Sequence, residues 1–209
     1  MKEVYKTLIV RFCMKLQNKF INFSGCSDKS STMAPKYQII ELDPSTNTKL
    51  KIYLFKCVRN VEMIRDNIVK GVWKCTGIKP RFIVDTFQLA VAANKAVLDE
   101  KKNAMVTRSV FSEILYNLSA TKNISQSLIK FGIHKDMHIL FCFLVTEGQD
   151  ASTEIIPKIE GEMCPIKDLF KFTSFAETKN VYKLNHLKGN TGLLDGIVSK
   201  MATKSFVTH

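Results

Sequence analysis

The side chains that could do chemistry are two carboxylates, Asp85 and Glu113, two cations, Lys95 and Arg108, the histidines His134 and His138, and six cysteines. The histidines are four residues apart, but no paired cysteine motif completes a four-ligand zinc site. His138 also opens an apolar run, so a structural or solvent-facing role is expected for the pair. Asp85 could serve as a catalytic carboxylate. Its place after Phe82, Ile83 and Val84, three residues before Gln88, is that of a helix N-cap whose partner reaches back to the free amide, and this accounts for it fully. Glu113 falls in the first turn of a helix, where the dipole favours a carboxylate, and nothing pairs with it as nucleophile or base. Lys95 and Arg108 can each offer donors to phosphate; the plainer alternative for either is a solvated surface charge. The cysteines Cys13, Cys26, Cys57, Cys75, Cys142 and Cys164 form no C-x-x-C pair. Because Cys57 and Cys142 lie in apolar strand-like runs, reduced and mostly buried thiols are expected.

There is no G-x-x-x-x-G-K-[ST] phosphate loop, no G-x-S-x-G elbow and no H-E-x-x-H helix, and the nine glycines are too scattered to build a nucleotide cradle. No catalytic centre, metal or cofactor is therefore expected, and the chain is expected not to be an enzyme.

These side chains must be positioned by a helical hub over residues 80–133. A helix begins after Asp85, with Phe87, Ala90, Val91 and Leu98 at helical spacing and Leu89, Ala93, Ala96 and Val97 widening the stripe. Lys95, Asp99 and Lys102 lie off that stripe. A second helix reads from about 110 to 118. A third opens with Asn123, runs through Leu128 and Phe131, and stops at Gly132.

Before the hub, KLKIYLFKCV (49–58) alternates, with Leu50, Ile52 and Leu54 on one face and Lys51, Tyr53 and Phe55 on the other, a strand with at least one buried face. Asn60 then caps a helix striped by Val61, Ile64 and Ile68 that ends at Gly71, and residues 71–80 are rich in turn formers. After the hub, ILFCFLV (139–145) is apolar throughout and predicts a central strand buried on both faces. Farther on, a short helix is expected near 166–170, and residues 181–184 can pair as a further strand.

A C-terminal helix over 193–201 carries a stripe of Leu194, Ile197, Val198 and Met201, with Lys200 and Lys204 toward its end. Gly192 and Gly196 each cost about 1 kcal/mol relative to Ala, so this helix must be held by docking. Leu194 and Val198 are expected to complete the core, and Leu193 and Ile197, at the margin of the stripe, to be available to a partner.

Adjacent helices in the middle, without strict βαβ alternation, predict an α+β fold: a small, mostly antiparallel sheet packed against the helical hub in a single domain over 37–209. Residues 1–36 read as a basic, mostly disordered extension. Its loose fit to a mitochondrial presequence is the weaker reading, and Met33 reads as an alternative or true start. The formal net charge is +12, of which this extension supplies +5 from seven basic and two acidic residues. Such an excess suggests an acidic partner. No apolar run reaches the roughly 18 to 20 residues that cross a bilayer, so no membrane is expected. The N-x-S sequons at Asn22, Asn117 and Asn123 are chance matches without a secretory signal.

The segments IVDTFQLAVAANKAV, TRSVFSEILYNLS and NISQSLIKFGI, in that order, resemble the PRPK-binding protein (TPRKB) family, the small kinase-binding subunits of the KEOPS complex, also called EKC. The resemblance continues more weakly through IEG (159–161), VYKL (181–184) and LLDGIVSKM (193–201). Lys79 stands where the family usually has Asn, and Thr86 where it has Pro; Thr remains compatible with a helix start. The resemblance implies a noncatalytic subunit of the cytoplasm and nucleus. Such a subunit binds and regulates the small atypical kinase and, through it, meets the KEOPS catalytic subunit. It also helps tRNA binding for threonylcarbamoyl modification of the adenosine next to the anticodon. Lys95 and Arg108 lie in matching segments and become RNA-contact candidates; Leu193 and Ile197 become kinase-contact candidates. The alternative is an independent RNA-binding module with no kinase partner, which exposed aromatics would favour; here most aromatics fall at core positions.

Overall fold

The computed structural model describes residues 36–204. The expectations for Met33, Cys13, Cys26, Asn22 and nearly all of the basic extension lie outside the described residues.

Strands β1 (Tyr37–Glu41), β2 (Lys49–Lys56), β3 (Thr76–Ile78), β4 (Ile139–Val145) and β5 (Glu162–Cys164) form one sheet ordered β1-β2-β4-β3, with β5 also pairing to β2. Every pairing is antiparallel. β2 and β4 occupy the centre because both are apolar enough to be buried on two faces. Leu50, Ile52, Leu54, Leu140 and Cys142 belong to one core, while Tyr53, Phe55, Ile139, Phe141 and Phe143 belong to the other. On the second face Tyr53 meets Phe143, and Phe55 meets Phe141, edge to face with centroids 5.8 and 5.7 Å apart.

The first core is shared with the helical layer: α2 (Thr86–Lys101), α3 (Val110–Leu118), α4 (Ile124–Phe131), α6 (Phe175–Tyr182) and α7 (Leu193–Thr203). The second lies under α1 (Val61–Val69), Trp73 and the short α5 (Ser152–Ile155). The sheet thus has a helical layer on one face and a smaller cover on the other. This is the expected α+β class.

α2 is buried nearly all round, and Ala90, Ala92, Ala93 and Ala96 are fully covered, which lets neighbouring elements approach closely. Asp85 caps it, its Oδ1 accepting the Phe87 N–H at 2.7 Å. The capping partner differs from expectation: Gln88 is buried, and its Oε1 accepts the Val84 N–H at 3.2 Å, one residue before Asp85. Asn123 caps α4 through the Gln126 N–H at 2.9 Å. α4 ends at Gly132 because a Cβ there would lie 2.6 Å from Leu128 O.

Several expectations are corrected. Residues 181–184 form no strand: Val181 and Tyr182 finish α6, and Lys183 turns the chain at φ +55°. The segment 71–80 holds strand β3. Asn60 precedes α1 without capping it, because its side chain is engaged elsewhere, donating to Lys158 O at 2.9 Å and accepting the Glu160 N–H at 3.1 Å. Cys57 is exposed where β2 ends, whereas Cys75, Cys142 and Cys164 are buried. Burial pushes the Cys75 thiol up to about 12 and raises Cys142 and Cys164 as well, which disfavours the thiolate at all three.

Candidate functional site

The candidate cations lie on α2 and on the turn that follows it. Lys95 is half-buried on α2 and ion-paired with Asp99 one turn later. Arg108 is exposed on the turn between α2 and α3, with no hydrogen bond or ion pair among the described residues. That turn is built by α3. Ser109 and Ser112 form a capping box, and Glu113, only 1% exposed, directs Oε2 at the Val106 N–H (3.1 Å) and the Thr107 N–H (2.7 Å). Thr107 Oγ1 lies 2.7 Å from the same oxygen. Among the described residues the carboxylate's hydrogen-bond partners are these donors.

At the end of α7, Lys204 is 6% exposed; its amine donates to Tyr116 O and sits 3.2 Å from the Tyr116 ring centroid. Burial holds this amine down at about 7, with Lys95 adding to the fall and the Glu113 charge opposing it. Tyr116 is raised by burial first and then by the charges of Glu113 and Asp99. The sequence marks Lys204 only as a cation near a helix end; its burial against α3 is a tertiary fact that no spacing foretells.

The interface residues on α7 are placed otherwise than expected. Leu193 is 1% and Ile197 0% exposed, both inside the first core, so neither presents a side chain to a partner. The physical reason is phase: α7 packs on α2 and α6 through the column Leu193, Ile197, Met201. Val198 is buried as expected, but Leu194 is half-exposed. Gly196 allows this close approach, since a Cβ there would stand 3.0 Å from Leu184 Cδ1.

The histidines do not converge. His134 is exposed, its N–H donating to Asp136 Oδ2 at 3.0 Å, while the His138 ring stacks 4.8 Å from Phe172. Among the described residues no three His, Cys, Asp or Glu side chains gather as a metal site would need.

A cluster that the sequence does not announce joins β2 to α5. Lys51 Nζ lies 2.8 Å from Asp150 Oδ2 and 3.0 Å from Ser152 Oγ, and Tyr53 Oη is 3.3 Å from that Oγ. Lysine and tyrosine beside a serine could suggest a nucleophile. Burial alone would lower Lys51, but hydrogen bonds and charge from Asp150 and Tyr53 outweigh it and raise the group, which favours an ion-paired ammonium. The cluster is an ion-paired clasp.

The fold is thus an α+β module in which Asp85 and Asn123 cap helices, Glu113 braces a turn and Lys51 and Asp150 clasp β2 to α5. Residues 55–205 match the sequence model of the family described as Kinase binding protein CGI-121, and the chain belongs to that family. Over 154 residues it is 38% identical to the zebrafish (Danio rerio) EKC/KEOPS complex subunit TPRKB, covering 72% of this chain and 88% of that protein. It is also 29% identical over 145 residues to the EKC/KEOPS complex subunit CGI121 of Yarrowia lipolytica, covering 68% and 83%. A third relative, the CGI121 subunit of Gibberella zeae, is 25% identical over 173 residues, covering 76% and 88%.

Proposed function

We propose that this chain is a noncatalytic accessory subunit of an EKC/KEOPS complex. It binds and regulates the small atypical kinase, reaches the catalytic subunit through it, and helps tRNA binding for threonylcarbamoyl modification of the adenosine next to the anticodon. It works in the cytoplasm and nucleus. The observation that carries this reading is the family match across 55–205, which spans the helical layer and most of the sheet.

The kinase meets α7 from outside, through Leu194 and Ala202, which lie two turns apart on the half-exposed side of the helix. Arg108 contributes to the tRNA contact. Its guanidinium is unpaired among the described residues, and the chain's excess of positive charge favours a polyanion. Affinity capture of the full chain from cells, with identification of what is retained, tests the assignment. Recovery of the kinase and the catalytic subunit supports it, and recovery of neither sinks it.

A further inference from the structure

The Val106 and Thr107 amides donate to a single oxygen of Glu113, which also lies 2.7 Å from the Thr107 hydroxyl. Ser112 Oγ reaches Thr107 Oγ1 at 3.0 Å, and the Ser109 N–H donates to Ser112 Oγ at 3.2 Å. The backbone is therefore held from within on both sides of Arg108, while the Arg108 side chain stands in solvent. All three contacts fall on one carboxylate oxygen, so a carboxamide could offer its own oxygen in the same place, and only removal of the acceptor, as in Glu113→Leu, frees the two amides. A turn fixed in the folded chain need not be ordered again when Arg108 meets a ligand.

We infer that Glu113 is a positioning residue, which holds the 106–109 turn so that Arg108 is presented to the phosphates of an RNA. This rests on the tRNA reading above. The Lys204 amine from α7 feels the charges of both Glu113 and Lys95, and Lys95 is ion-paired with Asp99 on α2.

The test is a double-mutant cycle on the full chain with a tRNA transcript, joined to amide exchange measured at Val106 and Thr107. Glu113→Leu, which removes the acceptor, is expected to speed exchange at both amides about tenfold. It should weaken tRNA binding about threefold to tenfold and flatten the slope of log affinity against log salt by about 0.7 to 0.9. Arg108→Ala should give the same loss, and the double variant no further loss, because the carboxylate acts through the guanidinium. Losses that multiply in the double variant overturn the inference. So does faster exchange with unchanged affinity. If Glu113→Leu unfolds the chain, Thr107→Val replaces it in the same cycle with the same expected outcomes. A wild-type chain that binds no tRNA, alone or with the kinase, overturns the RNA reading and this inference together; binding with multiplying losses overturns this inference alone.

Discussion

Gln88 Nε2 and Tyr182 Oη lie 2.8 Å apart inside the helical layer, and the phenol donates onward to Leu118 O at 2.6 Å. Gln88 Nε2 also reaches Phe82 O at 3.2 Å. This buried chain of bonds ties α2 to α6 and to the end of α3. Burial raises the Tyr182 phenol above its ordinary value, with the Gln88 bond opposing, which favours the protonated, donating form. Tyr182→Phe strands Leu118 O and one bond of Gln88, which is expected to cost about 1–3 kcal/mol. Thermal unfolding should show the transition lowered by about 2–4 °C per kcal/mol.

The two apolar columns of α7 should respond oppositely. Ile197→Ala is expected to cost about 2–5 kcal/mol, because its side chain is wholly enclosed. Leu193→Arg with Ile197→Glu buries two charges and should abolish cooperative unfolding. Leu194→Arg with Ala202→Glu should abolish kinase binding while the chain still unfolds cooperatively, at a cost of about 1–3 kcal/mol because Leu194 also packs against the first core. Binding that survives in this folded variant would place the kinase contact on another face.

Lys204 gives a pH dependence with a definite sign. Its folded value of about 7 lies below the ordinary lysine value of 10.5, so between those limits the unfolded chain binds a proton that the folded chain lacks. Stability from this group therefore rises with pH across that window, and the burial penalty is felt in full below about 7. Denaturation of wild type and Lys204→Met from pH 6 to pH 10 isolates the effect: wild type should gain on the variant as pH rises. A constant difference would show that the amine titrates normally.

Lys95 and Arg108 should separate under charge reversal. Arg108→Glu is expected to weaken tRNA binding and lower the salt slope by about 0.7 to 0.9. Lys95 is already paired with Asp99, so Lys95→Glu should do less to the slope and more to α2, where it sets two carboxylates one turn apart at a cost of a few tenths of a kcal/mol.

Features written locally were legible in the sequence. Asp85 and Asn123 announce their helices because a cap needs only one side chain and amides two or three residues on, and ILFCFLV announces a strand buried on both faces because no residue in it wants water. Three-residue strands such as β3 and β5 carry no readable period and exist because β4 and β2 offer them an edge. Residues 181–184 misled because VYKL, rich in strand-favouring Val and Tyr, is too short to carry a period that separates a strand from the last turn of a helix. On α7, Leu193 and Leu194 are adjacent and equally apolar, so propensity cannot say which turns inward; the packing of α2 and α6 decides it. The candidate site was legible as residue types only. Arg108 stands in solvent as a donor should, but the carboxylate that fixes its turn has no signature beyond its place in the first turn of α3.

The central claim is association with the kinase. Size-exclusion chromatography with light scattering on the purified full chain mixed with the small atypical kinase measures it directly. A single species at the summed mass of the two chains, split back into its parts by Leu194→Arg with Ala202→Glu, is the predicted result. Two separate peaks at micromolar concentrations, with both proteins folded, would contradict it.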